Sequence, residues 1–338
     1  MKRPYQMLLR FLILISYMSK EKAINRLKLI YSFIFSLCGI QNKVNIYPLF
    51  VSVEMTNYCN LHCPECPVGR IKFSKKEKKS VELSVFKELI NELKPTLEHI
   101  ILYFQGEPLL HNQLPELIKY AHVSGIYTST STNGQFLTEK MAKELVISGL
   151  DRIIISIDGT TQQVYEAYRV GGNLQKAMDG IKYLIEWKKI LNSVTPYIEI
   201  QFLVLKTNEH QMKEMTGMAK SLLVDKLTFK TAQLYDFENG SNFLTTKSRY
   251  ARYKKTKEGK FKRKGNHPNH CWRLWSGAVI NVQGEVLPCC FDKLSEYSFG
   301  NIREQSFLKC WHSKKASGFR DKMIRNRKQF EMCRNCTE

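Results

Sequence analysis

The sequence predicts an α/β chain: a partial (β/α)6 TIM-like barrel, preceded by amphipathic helices and followed by a small cysteine-bearing β-hairpin and helix unit. Three observations carry this. Six runs rich in β-branched and aromatic residues alternate with five helical patterns after Pro48. The chain has 338 residues, 43% apolar and 25% charged, enough for one large domain and an appendage. Its cysteines fall into one group behind the first strand-like run and another near the C-terminus.

Taken in order, residues 1–48 form a basic arm. Residues 7–17 and 27–40 are apolar and flanked by Lys2, Arg3, Arg10, Lys20, Lys22, Arg26 and Lys28. Each is too short to span a bilayer. Arg10 interrupts the first apolar run and no small-residue cleavage site follows, so a secretory leader is not expected. Two amphipathic helices are expected instead, docked on the main domain or lying at a membrane surface. Residues 49–235 carry strands at 50–55, 99–104, 126–131, 152–157, 197–203 and 226–230. Helices are expected at 82–94, 113–124, 138–148, 173–191 and 209–223. Parallel strands need crossover helices, and six units rather than eight leave a barrel incomplete. Residues 236–270 read as a basic connector. Residues 271–338 open with a hairpin (SGAVINV, a turn at Gln283-Gly284, EVLPCC) and continue into a basic helix at about 313–328.

The chain carries 52 basic and 31 acidic residues, net +21. The basicity sits in patches: residues 1–48 are net +7, 70–79 net +5, 247–264 net +9 and 303–328 net +7. These exceed the whole, so the remaining body is acidic. Such patches suit an anionic partner, or are simply lysine-rich solvated faces. They lack interleaved aromatics apart from Tyr250, Tyr253 and Phe261, so nucleic acid is not the expected partner.

Ten cysteines cluster as C-x3-C-x2-C and C-x2-C rather than as a disulfide framework. Cys59, Cys63 and Cys66 directly follow the first strand. Three thiolates can hold three irons of a [4Fe–4S] cube and leave the fourth iron open for chemistry. The alternative is zinc, with His62 as the nearest fourth ligand.

The stretch MTNYCNLHCPECP resembles the cysteine motif of radical S-adenosylmethionine (radical SAM) enzymes. The resemblance covers about residues 50–338 and implies a (β/α)6 partial barrel. It further implies reductive cleavage of S-adenosylmethionine (SAM) at the [4Fe–4S] cluster, giving a 5′-deoxyadenosyl radical that abstracts a substrate hydrogen. Cys59, Cys63 and Cys66 are then the catalytic cluster ligands. Strand ends two to four carry QGEP (105–108), STNG (131–134) and SIDG (156–159), where barrel enzymes collect function. QGEP resembles the family's GGEP, which meets the SAM amino group: Gly106 and Glu107 match, and Gln105 departs. Asn133, Ser156 and Arg169 resemble positions lining the SAM ribose and carboxylate, with Gln201 a further candidate.

Cys271, Cys289, Cys333 and Cys336 resemble the auxiliary-cluster module of twitch and SPASM domains. Three cysteines remain (Cys38, Cys290 and Cys310), too few for a second all-cysteine set, so one fully ligated auxiliary [4Fe–4S] cluster is expected. The alternative is structural zinc. Cys290 is expected on the opposite strand face from Cys289, and Cys38 and Cys310 as small buried hydrophobes. An auxiliary cluster suits an oxidoreductase or maturase that removes two electrons. The expected substrate is a small polyol, amino sugar or glycan precursor, and the runner-up is a ribosomal peptide. A non-enzymatic zinc-thiolate adaptor at membrane or nucleic acid is the third reading. Tyr235, Asp236 and Glu238 are candidate bases or loop caps. The expected electron donor is of flavodoxin or ferredoxin type. The expected location is cytoplasmic, with peripheral contact at the inner membrane face through residues 1–48.

Overall fold

The computed structural model describes residues 12–40, 45–72, 74, 76–265 and 268–336. Within the arm, residues 12–16 are helical and helix α1 spans Lys20–Leu37. The rest of the expected first helix, residues 7–11, lies outside the described residues, as do 41–44.

The barrel strands are β1 (Phe50–Val53), β2 (His99–Ile101), β3 (Tyr127–Thr132), β4 (Arg152–Ser156), β5 (Tyr197–Val204) and β6 (Lys226–Thr231). Between them run α2 (Leu83–Leu93), α3 (Leu114–Val123), α4 (Glu139–Ile147), the short α5 (Gln162–Glu166), α6 (Leu174–Ile190) and α7 (Met212–Ser221). All six strands pair in parallel and in sequence order. Strands covered on both faces carry continuous apolar runs, and Ile153-Ile154-Ile155 is such a run, at most 6% exposed. The helices cover the outside with one apolar face each: α2 buries Phe86, Leu89, Ile90 and Leu93, at i, i+3, i+4 and i+7. Thr138 and Asn173 cap α4 and α6 by accepting from Met141 N and Lys176 N. The expected strands and helices are therefore present; α5 is the addition.

The C-terminal unit is tied into the barrel more closely than the sequence suggested. After α8 (Trp272–Ser276), strand β9 (Gly277–Ile280) pairs in parallel with β1, Ser52 opposite Val279. Strand β10 (Val286–Leu287) returns antiparallel to β9, as the hairpin expectation required. The result is an eight-stranded sheet in the order β10-β9-β1-β2-β3-β4-β5-β6. A six-stranded open barrel leaves β1 as an unpaired edge, and β9 satisfies its backbone groups. The connector is not irregular throughout: β7 (Tyr253–Lys255) and β8 (Phe261–Arg263) form a hairpin that exposes Lys254 and Lys255. Helices α9 (Phe307–Trp311) and α10 (Lys314–Arg325) complete the unit.

Candidate functional site

Each of the first four barrel strands ends in a loop that bends toward one cavity of ≈ 250 Å³. Cys59, Cys63 and Cys66 line it, and so do Gly106, Glu107, Asn133, Ser156 and Arg169. All eight residues expected at the first site are thus brought together. Gln201 is not among the lining residues.

The backbone explains several of these placements. Gly106 has φ +63°, and a Cβ there would sit 2.1 Å from Thr56 O, so only glycine lets this loop pass behind the cysteine loop. Gln105, the departure from the family motif, donates from Nε2 to Lys293 O (3.1 Å) and so ties this loop to the C-terminal unit. The Glu107 carboxylate accepts from Leu109 N (3.0 Å), Thr132 Oγ1 (2.7 Å) and Asn133 N (2.8 Å). It therefore holds the β3 loop in place. Burial pushes its pKa up against the pull of those donors and of the Arg169 charge. Asn133 Nδ2 reaches Cys59 Sγ at 3.6 Å. Arg169 donates from Nε to Asp158 Oδ2 (2.6 Å), and its Nη1 lies 3.9 Å from Cys63 Sγ. Asp158 is fully buried and also accepts from Leu203 N, so its role is to position Arg169.

The thiols fit an iron–sulfur cluster better than a zinc ion. His62 is exposed, and its Nδ1 lies 3.3 Å from Gly69 O rather than beside the thiols. Among the described residues, no three His, Cys, Asp or Glu side chains close into a shell for a single ion. A cube spreads its ligands around a larger body than one zinc does. Burial raises the Cys59 thiol to about 12, with Glu107, Cys63 and Cys66 adding to the rise. Taking up metal must therefore release protons.

The second cysteine set also converges. Cys271, Cys333 and Cys336 are buried, and Cys289 is partly so. The charge of Arg327, 1% exposed, faces Cys336, Cys271 and Cys333, and Cys289 feels Cys271. Among the described residues Arg327 Nε is buried with no hydrogen-bond partner, while Nη1 donates to His270 O (3.3 Å). A buried cation with an orphaned N–H among thiols fits an anionic thiolate-ligated cluster. Burial pushes the Cys333 thiol up to about 11, and Arg327 pulls it down.

The remaining cysteines divide. Cys310 is fully buried, as expected. Cys38 is exposed at the end of α1, contrary to expectation, because that helix turns its apolar side outward. Cys290 does not sit on an opposite strand face. The strand ends at Leu287, and Cys289 and Cys290 enter a turn in which both line a second cavity of ≈ 180 Å³. That cavity shares Tyr103 and Phe104 with the first, so the two adjoin. Arg273 and Lys293 also line it. Arg273 Nη1 lies 3.7 Å from Cys290 Sγ, and Lys293 Nζ lies 4.2 Å from the Phe104 ring centroid.

Sequence reasoning missed Lys293, Arg273, Arg327 and Glu54. Glu54 is 3% exposed and accepts from Val282 N (3.0 Å); burial raises its carboxyl to about 7, with backbone donors and Lys293 opposing. An acid inside the apolar run FVSVEM was the available signal. Burial lowers the Lys293 ammonium, while Cys290, Cys66, Glu54 and Cys289 pull it back up. Of the earlier base candidates, Asp236 accepts from Glu238 N and Asn239 N as a loop cap, and Glu238 pairs with Lys260 in solvent. Tyr235 lines a different cavity, beside Phe237 and Lys293.

The profile of the radical SAM superfamily matches residues 53–198, and that of the SPASM iron–sulfur cluster-binding domain matches residues 271–337. The chain is 25% identical over 316 residues to a tungsten-containing aldehyde ferredoxin oxidoreductase cofactor-modifying protein of Pyrococcus furiosus, covering 85% of this chain and 87% of that protein. It is 25% identical over 291 residues to a PqqA peptide cyclase of Bradyrhizobium diazoefficiens, covering 80% and 74%. Its fold resembles that of Streptococcus suis SuiB bound to S-adenosylmethionine, with TM-score 0.60, 14% identity and coverage of 81% and 68%.

Proposed function

Because the chain belongs to the radical SAM superfamily and carries a SPASM iron–sulfur domain, we propose that it removes two electrons from an unactivated C–H position of a substrate seated between its two cysteine sets. The observation that carries this reading is the pair of adjoining cavities, one lined by Cys59, Cys63 and Cys66 and the other by Cys289 and Cys290. When bound, the first cluster supplies the electron that divides SAM, and one auxiliary cluster on Cys271, Cys289, Cys333 and Cys336 would accept the electron that the substrate later sheds.

This chain's own residues do the rest. Glu107 takes the SAM amino group, Arg169 its carboxylate, and Asn133 and Ser156 face its ribose. Ser52, Tyr103, Gln233, Arg273 and Lys293 line the second cavity and can bond a small polar molecule. The substrate gives up a hydrogen atom to the adenosyl fragment, then a proton and an electron. Lys293, which lines that cavity and whose ammonium burial lowers, is the group that would take that proton. A flavodoxin- or ferredoxin-type donor would supply the reducing electron.

The substrate class that this compact, hydrogen-bonding cavity fits best is a small polyol or amino sugar. A peptide side chain is the second reading, favoured by the similarity to a peptide cyclase. Reconstituted protein incubated anaerobically with SAM, dithionite and either substrate class tests both, read by 5′-deoxyadenosine and a product lighter by two hydrogens. Lys293→Gln should keep 5′-deoxyadenosine formation and lose product by about a hundredfold. Unchanged product yield would remove Lys293 from the proton's path.

A further inference from the structure

Helix α1 is fastened to the barrel by its polar side. Its buried residues are Lys22, Asn25, Leu29, Ser32 and Ser36, four of them polar. Lys22 Nζ donates to Tyr17 O and Gly125 O. Asn25 donates to Tyr47 O (3.0 Å) and accepts from Tyr47 N (2.9 Å). Arg26 forks onto Glu98, and Tyr17 donates to Asp151 Oδ1 (2.8 Å). Glu98, Gly125 and Asp151 stand just before β2, β3 and β4. The arm therefore covers the end of the barrel opposite the cysteine loop.

The outward face is apolar. Ile24, Leu27, Ile30, Tyr31, Ile34 and Leu37 are all 40% or more exposed, Leu27 reaching 67%. Leu12, Leu14, Ile15 and Met18 extend this surface. At 100° per residue the six helical positions form one stripe, with Arg26 and Lys28 on its two flanks. A surface helix of a water-bathed protein has the reverse polarity. No helix among the described residues is long and apolar enough to cross a membrane.

We propose that residues 12–40 seat this protein in the plane of an anionic lipid surface, with the α1 stripe in the headgroup–acyl boundary. Charge selects this occupant. Residues 1–48 are net +7, and still net +5 with the inward-turned Lys22 and Arg26 set aside, so pairing the stripe with a second copy would bring like charges together, whereas anionic headgroups attract them. The cavity that holds the thiol triad then faces away from the bilayer. Substrate, SAM and reductant arrive from the aqueous side, and the arm lends no support to a substrate drawn from the membrane.

The test is flotation of the full chain with phosphatidylcholine vesicles containing phosphatidylglycerol, against phosphatidylcholine alone. Wild type should float with the anionic vesicles and less so in high salt. The double variant Leu27→Glu, Ile34→Glu should lose partitioning by about tenfold or more, while keeping wild-type melting and iron content, because both side chains are exposed. Equal partitioning of variant and wild type would overturn the proposal. So would a failure of wild type to float, or a dimer in vesicle-free light scattering that the double variant abolishes without any vesicle binding.

Discussion

Arg169 shows how a single residue acquires its task. Its guanidinium is held by fully buried Asp158 and turned toward Cys63. Lysine offers a point charge without the planar fork, so Arg169→Lys should weaken SAM binding on the order of tenfold while leaving iron content unchanged. Equilibrium dialysis of reconstituted protein checks this. Glu54 leads to a pH prediction. Its carboxyl rises from an ordinary 4.5 to about 7 on folding. Between those values the folded state holds a proton that the unfolded state has lost, so its contribution is present below about 4.5 and is lost as pH rises through about 7. Glu54→Gln should flatten the fall in stability across that window, measured as the difference between wild-type and variant melting curves at matched pH. The site was legible in the cysteine spacing, where chemistry constrains residue type, and beyond it through resemblance to the radical SAM motifs: Cys59, Cys63 and Cys66 line one cavity with Gly106, Glu107, Asn133, Ser156 and Arg169. Lys293 and Arg327 were not. A lysine or arginine in a basic chain looks the same in sequence whether it solvates a surface or faces buried thiols.

At the scale of elements, period and length placed the strands and helices to within a few residues, because parallel strands and their covering helices leave strong apolar patterns. What pattern does not encode is which strand a late hairpin joins. β9 pairs with β1 across more than two hundred residues of sequence, and the driving force is an edge left open by an incomplete barrel. Val279 lies between Ser52 and Leu287 in the two ladders. Val279→Pro removes a backbone donor from an interior strand. It should lower Tm by about 5 °C or more and let limited proteolysis release the C-terminal unit. An unchanged melting curve would mean that β9 contributes little to holding the unit. The α1 helix is the opposite case: its sequence was read as amphipathic, but only the structure reveals that the polar side faces inward.

For the molecule as a whole, the barrel places its two ends in different roles. The ends of the first four strands gather the thiol triad and the groups around it. The opposite end carries the arm. The C-terminal unit, threaded into the same sheet, brings Cys289, one member of the second thiol set, into the lining of the adjoining cavity. Both sets should bind iron, and only the first should cleave SAM. The measurement that tests it most directly is iron, sulfide and 5′-deoxyadenosine in anaerobically reconstituted protein given SAM and dithionite, beside the triple variant Cys59→Ala, Cys63→Ala, Cys66→Ala. About eight irons per chain are expected, about four in the variant, and 5′-deoxyadenosine from the intact protein alone. About four irons with one zinc would remove the second set from electron transfer. Absence of iron and of SAM cleavage in the intact protein would rule out radical SAM chemistry at the first thiol set.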